Sequence, residues 1–301
     1  MPKIKIPISQ AVLTVIQERK LKELLPGKTG LEASGVVAWN KHYYVVFDRF
    51  PQIARIKSDL TGETMQESWV NKKGKGPGFE DITYDQKKDR FYTVVEALEK
   101  KGKKFKGKIY EFDKDFSCVR KNWINVKFED GKKGFEGLEH IRRRGKEYLL
   151  ALCEGNKCRG GKKGKKPGGG RIKVLQKDGN TWVKAHTIKL PQTLLFEDYA
   201  SLTLRGNRMA IVSQKNSALW IGQLKSNSWT ISGHGDTYHF PRTPEGLKPY
   251  GNVEGACWIG KNRLVVVSDK AKNQQDSICK TKDQSIHIVE VPLSLLLIYP
   301  D

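Results

Sequence analysis

An acidic residue recurs inside one short motif at five points along the chain. The motifs read LEASG, FEDIT, FEGLE, FEDYAS and VEGAC, and their leading acids are Glu32, Glu80, Glu136, Glu197 and Glu254. A spacing of roughly 50 to 60 residues is typical of a repeat architecture. The chain is therefore expected to fold as five similar units.

A second strand-like run follows each motif after about 10 to 15 residues and ends in a polar or acidic residue. The runs YYVVFD, FYTVVE, YLLALCE, MAIVSQ and LVVVSD end at Asp48, Glu96, Glu154, Gln214 and Asp269. A third alternating run follows in at least three units, as QIARIKSD, GKIYEFDKDF and GRIKVLQKDG. A fourth run carries a tryptophan, namely Trp69, Trp123, Trp182 or Trp229. Four strands in each of five units predict an all-β fold, a closed β-propeller of five antiparallel blades.

The repeat favours one domain over residues 1–301, with blades starting near residues 31, 79, 135, 196 and 253. Residues 1–30 are expected to help close the ring. Either residues 11–17 or the apolar run at 293–299 can supply the outer strand of the fifth blade, and the sequence leaves both open.

The N-terminal sequence, the lack of long apolar runs and the number of cysteines bear on where the protein is located. The first ten residues do not form a secretory signal, and no apolar run reaches the ~20 residues that span a bilayer. We therefore expect a cytoplasmic monomer without membrane contact. Five cysteines argue against a disulfide framework. Cys118 and Cys257 are expected in the core, and the spacing of Cys153 and Cys158 is loose for a zinc site.

Both acidic series are predicted to meet at one end of the central channel, because first strands begin and second strands end on the same face. The sequence predicts glutamate at every position of the first ring. Its members are Glu32, Glu80, Glu136, Glu197 and Glu254. Crowded carboxylates repel one another, so a cation among them is expected. Oxygen ligands favour Ca²⁺ first and Mg²⁺ second. The alternative is that each glutamate caps backbone amides or pairs with a neighbouring basic residue.

Lysine-rich connections surround this end of the channel. The formal net charge is +22, and residues 87–189 contribute a surplus of 17 positive charges. The segments at 99–108, 155–170 and 269–284 are predicted to join second and third strands on the acidic face. The candidate substrate-binding side chains are Lys101, Lys103, Lys104, Lys162, Lys163 and Lys270. A cation inside a basic collar suits an anionic small molecule, and nucleic acid is the rival partner.

Histidines add further candidates. His140 follows Glu136 by four residues and is included with Glu96, Glu154 and Asp269 as a catalytic candidate. His234, Asp236 and His239 are predicted in the connection between blades four and five, on the acidic face, and a purely polar loop is the alternative there.

EASG and EGLE at strand starts, with VVFD, VVE and VVSD at strand ends, resemble propellers of the SdiA-regulated and esterase-like phytase type. They are more distantly similar to calcium-dependent apyrases. The latter resemblance implies that the five motif glutamates approach a central metal. The leading hypothesis is a metal-dependent hydrolase of an anionic phosphorylated or ester-bearing substrate. The alternative is a non-catalytic scaffold whose basic face recruits an acidic protein or nucleic acid.

Overall fold

The computed structural model describes residues 12–292, except residues 63, 73, 101–103, 130 and 132. Strand β1 (Thr14–Lys20) and the short helix α1 (Leu21–Leu24) precede the first blade. The predicted five-bladed propeller is confirmed: consecutive antiparallel strands form five blades in chain order.

Blade one contains β2 (Ala33–Trp39), β3 (His42–Phe47) and β4 (Ile53–Lys57). After the short helix α2 (Met65–Ser68), its fourth position is a single bridge between Ala54 and Trp69. The tryptophan-bearing run of this blade is therefore a minimal edge.

Blade two contains β5 (Asp81–Asp85), β6 (Arg90–Lys100), β7 (Lys104–Phe112) and β8 (Cys118–Ile124). Trp123 and Ile124 in its outer strand pair in parallel with Thr181 and Trp182, which lie in the outer strand of blade three. The two blades therefore share one hydrogen-bonded sheet.

Blade three contains β9 (Phe135–Arg143), β10 (Lys146–Cys153), β11 (Arg171–Asp178) and β12 (Thr181–Lys189). The lysine-rich connection between β10 and β11 holds a 3₁₀ turn at Asn156–Cys158 and the short helix α3 (Gly161–Gly164).

Blade four contains β13 (Ser201–Arg205), β14 (Arg208–Ser213), β15 (Ala218–Leu224) and β16 (Ile231–His239). His234, Asp236 and His239 lie within β16. Their predicted place in a connecting loop on the acidic face is wrong, because this stretch pairs with β15 as the outer strand.

Blade five contains β17 (Val253–Trp258), β18 (Arg263–Ser268) and β19 (Ser285–Glu290), with a 3₁₀ turn at Ser277–Thr281 before the third strand. Strand β1 pairs antiparallel with β19 as the fourth strand, so the N-terminal side closes the ring. The rival segment at 293–299 lies outside the described residues.

The hydrophobic core consists of five layers, each between two neighbouring blades. The strands are apolar on both faces because each sheet packs against a blade on either side; all six residues of β14 are buried. The five first strands contact one another in sequence, from β2 through β5, β9, β13 and β17 back to β2. They therefore surround the central axis and position the candidate site.

The cysteines differ from expectation. Cys153 and Cys158 form a disulfide that ties the end of β10 to the 3₁₀ turn after it. The prediction against disulfides is thus wrong for this pair, whose Cα atoms a tight turn brings to 5.1 Å. Cys118 is exposed at the start of an outer strand, whereas Cys257 is partly buried.

Candidate metal centre at the channel mouth

The second acidic series occupies equivalent positions in all five blades. In each blade, one first-strand residue pairs with a second-strand residue located two positions before the polar one. The pairs are Gly35 with Val46, Asp81 with Val94, Gly137 with Leu152, Ser201 with Val212, and Gly255 with Val267. The five polar residues that end the second strands therefore form a ring of equivalent positions, which we call the second ring.

The five motif glutamates, in contrast, do not occupy equivalent positions in all five blades. The pairing register skips one residue before Gly35, Gly137 and Gly255, which is the mark of a β-bulge. In blade two, the amide of Glu80 donates to the carbonyl of Val94, which is also the pairing partner of Asp81. In blade four, the amide of Ala200 donates to the carbonyl of Val212, which is also the pairing partner of Ser201. The equivalent residues are Ser34, Glu80, Glu136, Ala200 and Glu254.

Only three motif glutamates, Glu80, Glu136 and Glu254, thus occupy this equivalent position. Glu32 lies two residues before Ser34, and Glu197 lies three residues before Ala200. The expectation of glutamate at every first-ring position is wrong, because the motifs of blades one and four are offset from the strand register. We call the end of the channel that holds Glu80, Glu136, Glu254, Asp48 and Asp269 the channel mouth.

Glu80, Glu136 and Glu254, at these equivalent positions, converge from different blades. Burial raises the pKa of Glu80, and the charges of Glu136, Glu96, Asp48 and Glu254 raise it further. Burial likewise raises the pKa of Glu136 and of Glu254, with neighbouring carboxylates adding to the effect. Carboxylates at the channel mouth therefore repel one another, as the sequence predicts.

A second group of acids lies beside these glutamates. Oxygens of Glu32, Asp48 and Asp269 all lie within 4.8 Å of one another. Burial, and then the charge of Glu32, raises the pKa of Asp48 to about 6. The Oδ1 atom of Asp48 is buried and has no hydrogen-bond partner. Arg49 pairs with Glu32 at 3.1 Å, so Glu32 keeps a basic neighbour.

A third group joins the second strands of blades two and three. Oxygens of Glu96, Glu136 and Glu154 lie within 4.8 Å of one another. The amide of Gly134 donates to Oε1 of Glu96 at 2.9 Å, and Lys133 forms an ion pair with Glu154. Glu96 and Glu154 therefore already have partners within the chain.

Blade four contributes least charge to the mouth. Glu197 is exposed, and Asp198 is the buried acid there, accepting hydrogen bonds from Ser213 at 2.5 Å and from the amide of Lys215. The side-chain amide of Gln214 donates to Oε1 of Glu254 at 2.6 Å. The lone neutral member of the second ring therefore supports a first-ring glutamate.

Two lysines that the sequence analysis did not single out reach the mouth. Burial alone would lower the pKa of Lys272, but Glu254, Asp269, Glu136 and Asp48 together raise it. Burial lowers the pKa of Lys133 despite the nearby Glu136. Lys133 could have been found from its place three residues before Glu136, whereas Lys272 was hidden inside a lysine-rich connection.

The predicted substrate-binding lysines lie at the rim. Lys104, Lys162, Lys163 and Lys270 are exposed, and Lys101 and Lys103 lie outside the described residues. Lys270 also donates its amide to Oδ1 of Asp269 at 2.5 Å. The described lysines therefore contribute long-range positive potential rather than buried contacts.

Below the mouth, the channel is filled by hydrogen-bonded acids. Asp81 accepts bonds from the amides of Leu138 and Ile82 and from the hydroxyl of Ser201. Glu139 accepts from Thr83 at 2.8 Å and from the amide of Leu204 at 3.0 Å; burial raises its pKa to about 7. These groups tie neighbouring blades together.

His140 is not brought to the mouth. It lies near Asp85 and Glu147, at the opposite end of the channel. Because it follows Glu136 by four strand residues, the two are about 13 Å apart along the strand.

Comparison with known proteins supports the fold. No family model and no curated protein sequence matches the chain. Glutaminyl cyclase of Myxococcus xanthus is similar in structure, with a TM-score of 0.56 at 11% identity, over 93% of this chain and 96% of that one. A PQQ-bound aldose sugar dehydrogenase of Streptomyces coelicolor matches with a TM-score of 0.47 at 9% identity, over 91% and 98% of the two chains. At such identities the first match shows a shared propeller fold, and the second carries no further weight.

Among the described residues, no helix is both long and apolar enough to cross a bilayer.

Proposed function

We propose that the channel mouth binds a divalent cation, Ca²⁺ before Mg²⁺, and that the loaded site hydrolyses a small anionic phosphoric or carboxylic ester. The observation that carries this proposal is the convergence of Glu80, Glu136 and Glu254, which come from equivalent positions of three blades and lie close enough for the charges of Glu136 and Glu254 to raise the pKa of Glu80. Carboxylates whose pKa values burial and mutual repulsion raise are stabilised by a cation.

The donors fit a hard cation. Every acidic group at the mouth offers oxygen, and the buried Oδ1 of Asp48 lacks a hydrogen-bond partner. Glu80, Glu136 and Glu254 would hold the ion, with Asp48 as a further ligand. The offset Glu32 and the exposed Glu197 are weaker candidates. When bound, the ion would polarise the ester oxygen and lower the pKa of a water molecule.

The chain itself supplies the remaining roles. Burial raises the pKa of Asp269 towards neutrality, which suits a general base. Glu96 and Glu154, already held by Gly134 and Lys133, would orient water or substrate. Lys272 would bind the anionic group of the substrate beside the acids, with Lys270 and the other rim lysines drawing the anion in.

Metal binding is tested by melting the purified protein with chelator and then with Ca²⁺, Mg²⁺ or Mn²⁺. We expect saturating Ca²⁺ to raise Tm by about 4 °C. Glu136→Gln should lose this shift, and Glu197→Gln should keep it, as a control from the same motif. Failure of Ca²⁺ to bind the wild type, or an equal loss in both variants, would overturn the assignment.

Hydrolysis is tested on a panel of phosphate and carboxylic esters with the Ca²⁺-loaded protein. Asp269→Asn should lower kcat by about 100-fold or more while Ca²⁺ still shifts the melting temperature. If Ca²⁺ binds and no ester is turned over, the protein is a metal-stabilised scaffold.

One observation favours that second function, recruitment of an acidic protein or nucleic acid. A cavity of about 400 Å³ on blade three is lined by Lys157, Arg159, Lys163, Lys166 and Arg171, without an acidic residue. Such a basic surface binds phosphate backbones or acidic segments with strong salt dependence. Arg159→Gln with Arg171→Gln should then weaken binding to a random DNA duplex in a filter assay.

A further inference from the structure

The opposite end of the channel carries a histidine between two carboxylates. Asp85 is the last residue of β5, Glu147 is the second residue of β10, and His140 lies in the second half of β9. We call these three residues the base cluster, because they lie at the base of the channel, opposite the mouth. Its ligand atoms all lie within 4.8 Å of one another. The cluster is separate from the mouth, because the length of β9 from Glu136 to His140, about 13 Å, lies between the two sites.

The distances in the base cluster do not fit a hydrogen bond. Nε2 of His140 lies 3.5 Å from Oδ2 of Asp85 and 3.8 Å from Oε1 of Glu147. A ring N–H bond to oxygen is normally about 2.7–3.2 Å. The histidine side chain is only 8% exposed, and its Nε2 has no hydrogen-bond partner. A buried imidazole nitrogen is therefore aimed at two carboxylates without bonding either.

These separations fit ligands that share one ion. Nitrogen and oxygen ligands sit about 2.0–2.2 Å from Zn²⁺, and tetrahedral angles then place them about 3.4 Å apart.

Neighbouring side chains fix the three ligands in place. Arg142 donates to Oδ2 of Asp85 at 2.6 Å. The hydroxyl of Tyr92 donates to Oε1 of Glu147 at 2.8 Å, and its ring is nearly parallel to that of His140, at 11°. Such outer contacts orient metal ligands and tune their basicity.

We propose that Asp85, His140 and Glu147 bind Zn²⁺ and that the ion takes its fourth ligand, an anion, from the adjoining cavity. Imidazole together with carboxylate favours Zn²⁺ over Ca²⁺. The cavity of about 520 Å³ is lined by Asp85, His140 and Arg142, so it reaches the site.

Charge sets the class of the fourth ligand. Arg142 and Lys88 already offset the charges of Asp85 and Glu147 through their ion pairs. A divalent ion would therefore leave net positive charge facing the cavity. A carboxylate, a phosphate or hydroxide would balance it, whereas a neutral ligand would not.

The test uses full-length protein, stripped of metal and saturated with Ca²⁺ to occupy the mouth. Co²⁺ is titrated while its visible absorption is followed, and Zn²⁺ is then used to displace it. We expect one equivalent of Co²⁺ with a tetrahedral spectrum, and a change in that spectrum when inorganic phosphate is added. His140→Gln should weaken binding by at least about 100-fold, whereas the exposed His186→Gln should not change it.

Two controls keep the test decisive. Glu136→Gln removes a mouth acid and should leave Co²⁺ binding intact, so failure of the mouth and of the base cluster can be distinguished. X-ray absorption of the Zn²⁺-loaded wild type should show one imidazole with oxygen ligands, and this holds even if His140→Gln fails to fold. An all-oxygen shell, no stoichiometric Zn²⁺, or full binding by folded His140→Gln would overturn the proposal.

Discussion

The two ends of the channel hold carboxylates in opposite electrostatic settings. At the mouth, burial and mutual repulsion raise the pKa values of Glu80, Glu136 and Glu254. At the base, burial alone would raise the pKa values of Asp85 and Glu147, but basic and hydrogen-bonding neighbours hold both below their usual range. Carboxylates at the mouth thus lack compensating positive charge, whereas those at the base have it.

This difference separates two ways of using a buried acid. An acid paired with its own arginine or lysine stabilises the folded chain by itself, whereas crowded acids need protons or a cation from outside. The mouth therefore makes folding depend on solution conditions, and the base does not do so to the same degree.

The largest effect is expected from Arg142→Gln. Asp85 is 1% exposed and pairs with Arg142 at 2.6 Å, so the substitution leaves a buried carboxylate without its strongest partner. We expect the free energy of unfolding to fall by about 3 kcal/mol in urea titrations with chelator present. Arg144→Gln is the control, since that side chain is exposed and donates to the carbonyl of Asn227 at 3.2 Å. A loss below about 1 kcal/mol would contradict the balanced description of the base.

Removing one charge from each end should change stability in opposite directions. In chelator at pH 8, Glu136→Gln removes a repelled charge and should raise the free energy of unfolding by about 1–2 kcal/mol. Glu147→Gln removes the partner of Lys88 and should lower it by a similar amount. Chemical denaturation of both variants in one buffer measures the comparison. Changes of the same sign would mean that the ends do not differ electrostatically.

The pattern of the sequence predicts the fold better than it predicts the site. The strand runs and their terminal acids follow the blade register, so Asp48, Glu96, Glu154 and Asp269 were placed in one ring from spacing alone. The bulges before Gly35 and Gly137 were not visible, because a bulge shifts pairing by one residue without a distinctive composition. Glu32 and Glu197 were aligned with the other motif glutamates by their similar local sequence, but they lie two and three residues before the equivalent positions, Ser34 and Ala200.

The base cluster shows the same limit for long-range contacts. Asp85, His140 and Glu147 come from two blades, and only the packing of β5 against β9 brings them together. The sequence showed His140 four residues after Glu136 and suggested one shared site. Strand β9 instead runs away from the mouth, so His140 lies near the opposite end of the channel.

The pH dependence of stability should differ between the ends. Burial raises the pKa of Asp48 from 3.8 to about 6 in the folded chain, so the folded state retains a proton that the unfolded state has lost. Its contribution is present below pH 3.8 and is lost as pH rises through 6, at about 1 kcal/mol per pH unit or less after solvent screening. Asp85 and Glu147, with lowered pKa values, act oppositely and lose stability only under more acidic conditions. Denaturation from pH 3 to 8 in chelator measures both slopes, and Ca²⁺ should flatten the slope due to the mouth. A free energy of unfolding that rises between pH 4 and 6 would contradict the assignment of unbalanced acids.

The smallest effect is expected from Arg49→Gln, the mouth counterpart of Arg142→Gln. Arg49 is 55% exposed and pairs with Glu32 at 3.1 Å, so water replaces most of the lost interaction. We expect stability to change by less than about 0.5 kcal/mol. Calcium affinity should instead rise about threefold, because a positive charge beside Glu32, Asp48 and Asp269 has been removed. Calorimetric titration with Ca²⁺, using Arg55→Gln on β4 as a control for net charge, measures this effect. Weaker Ca²⁺ binding in Arg49→Gln would show that Arg49 organises these acids rather than competing with the ion for them.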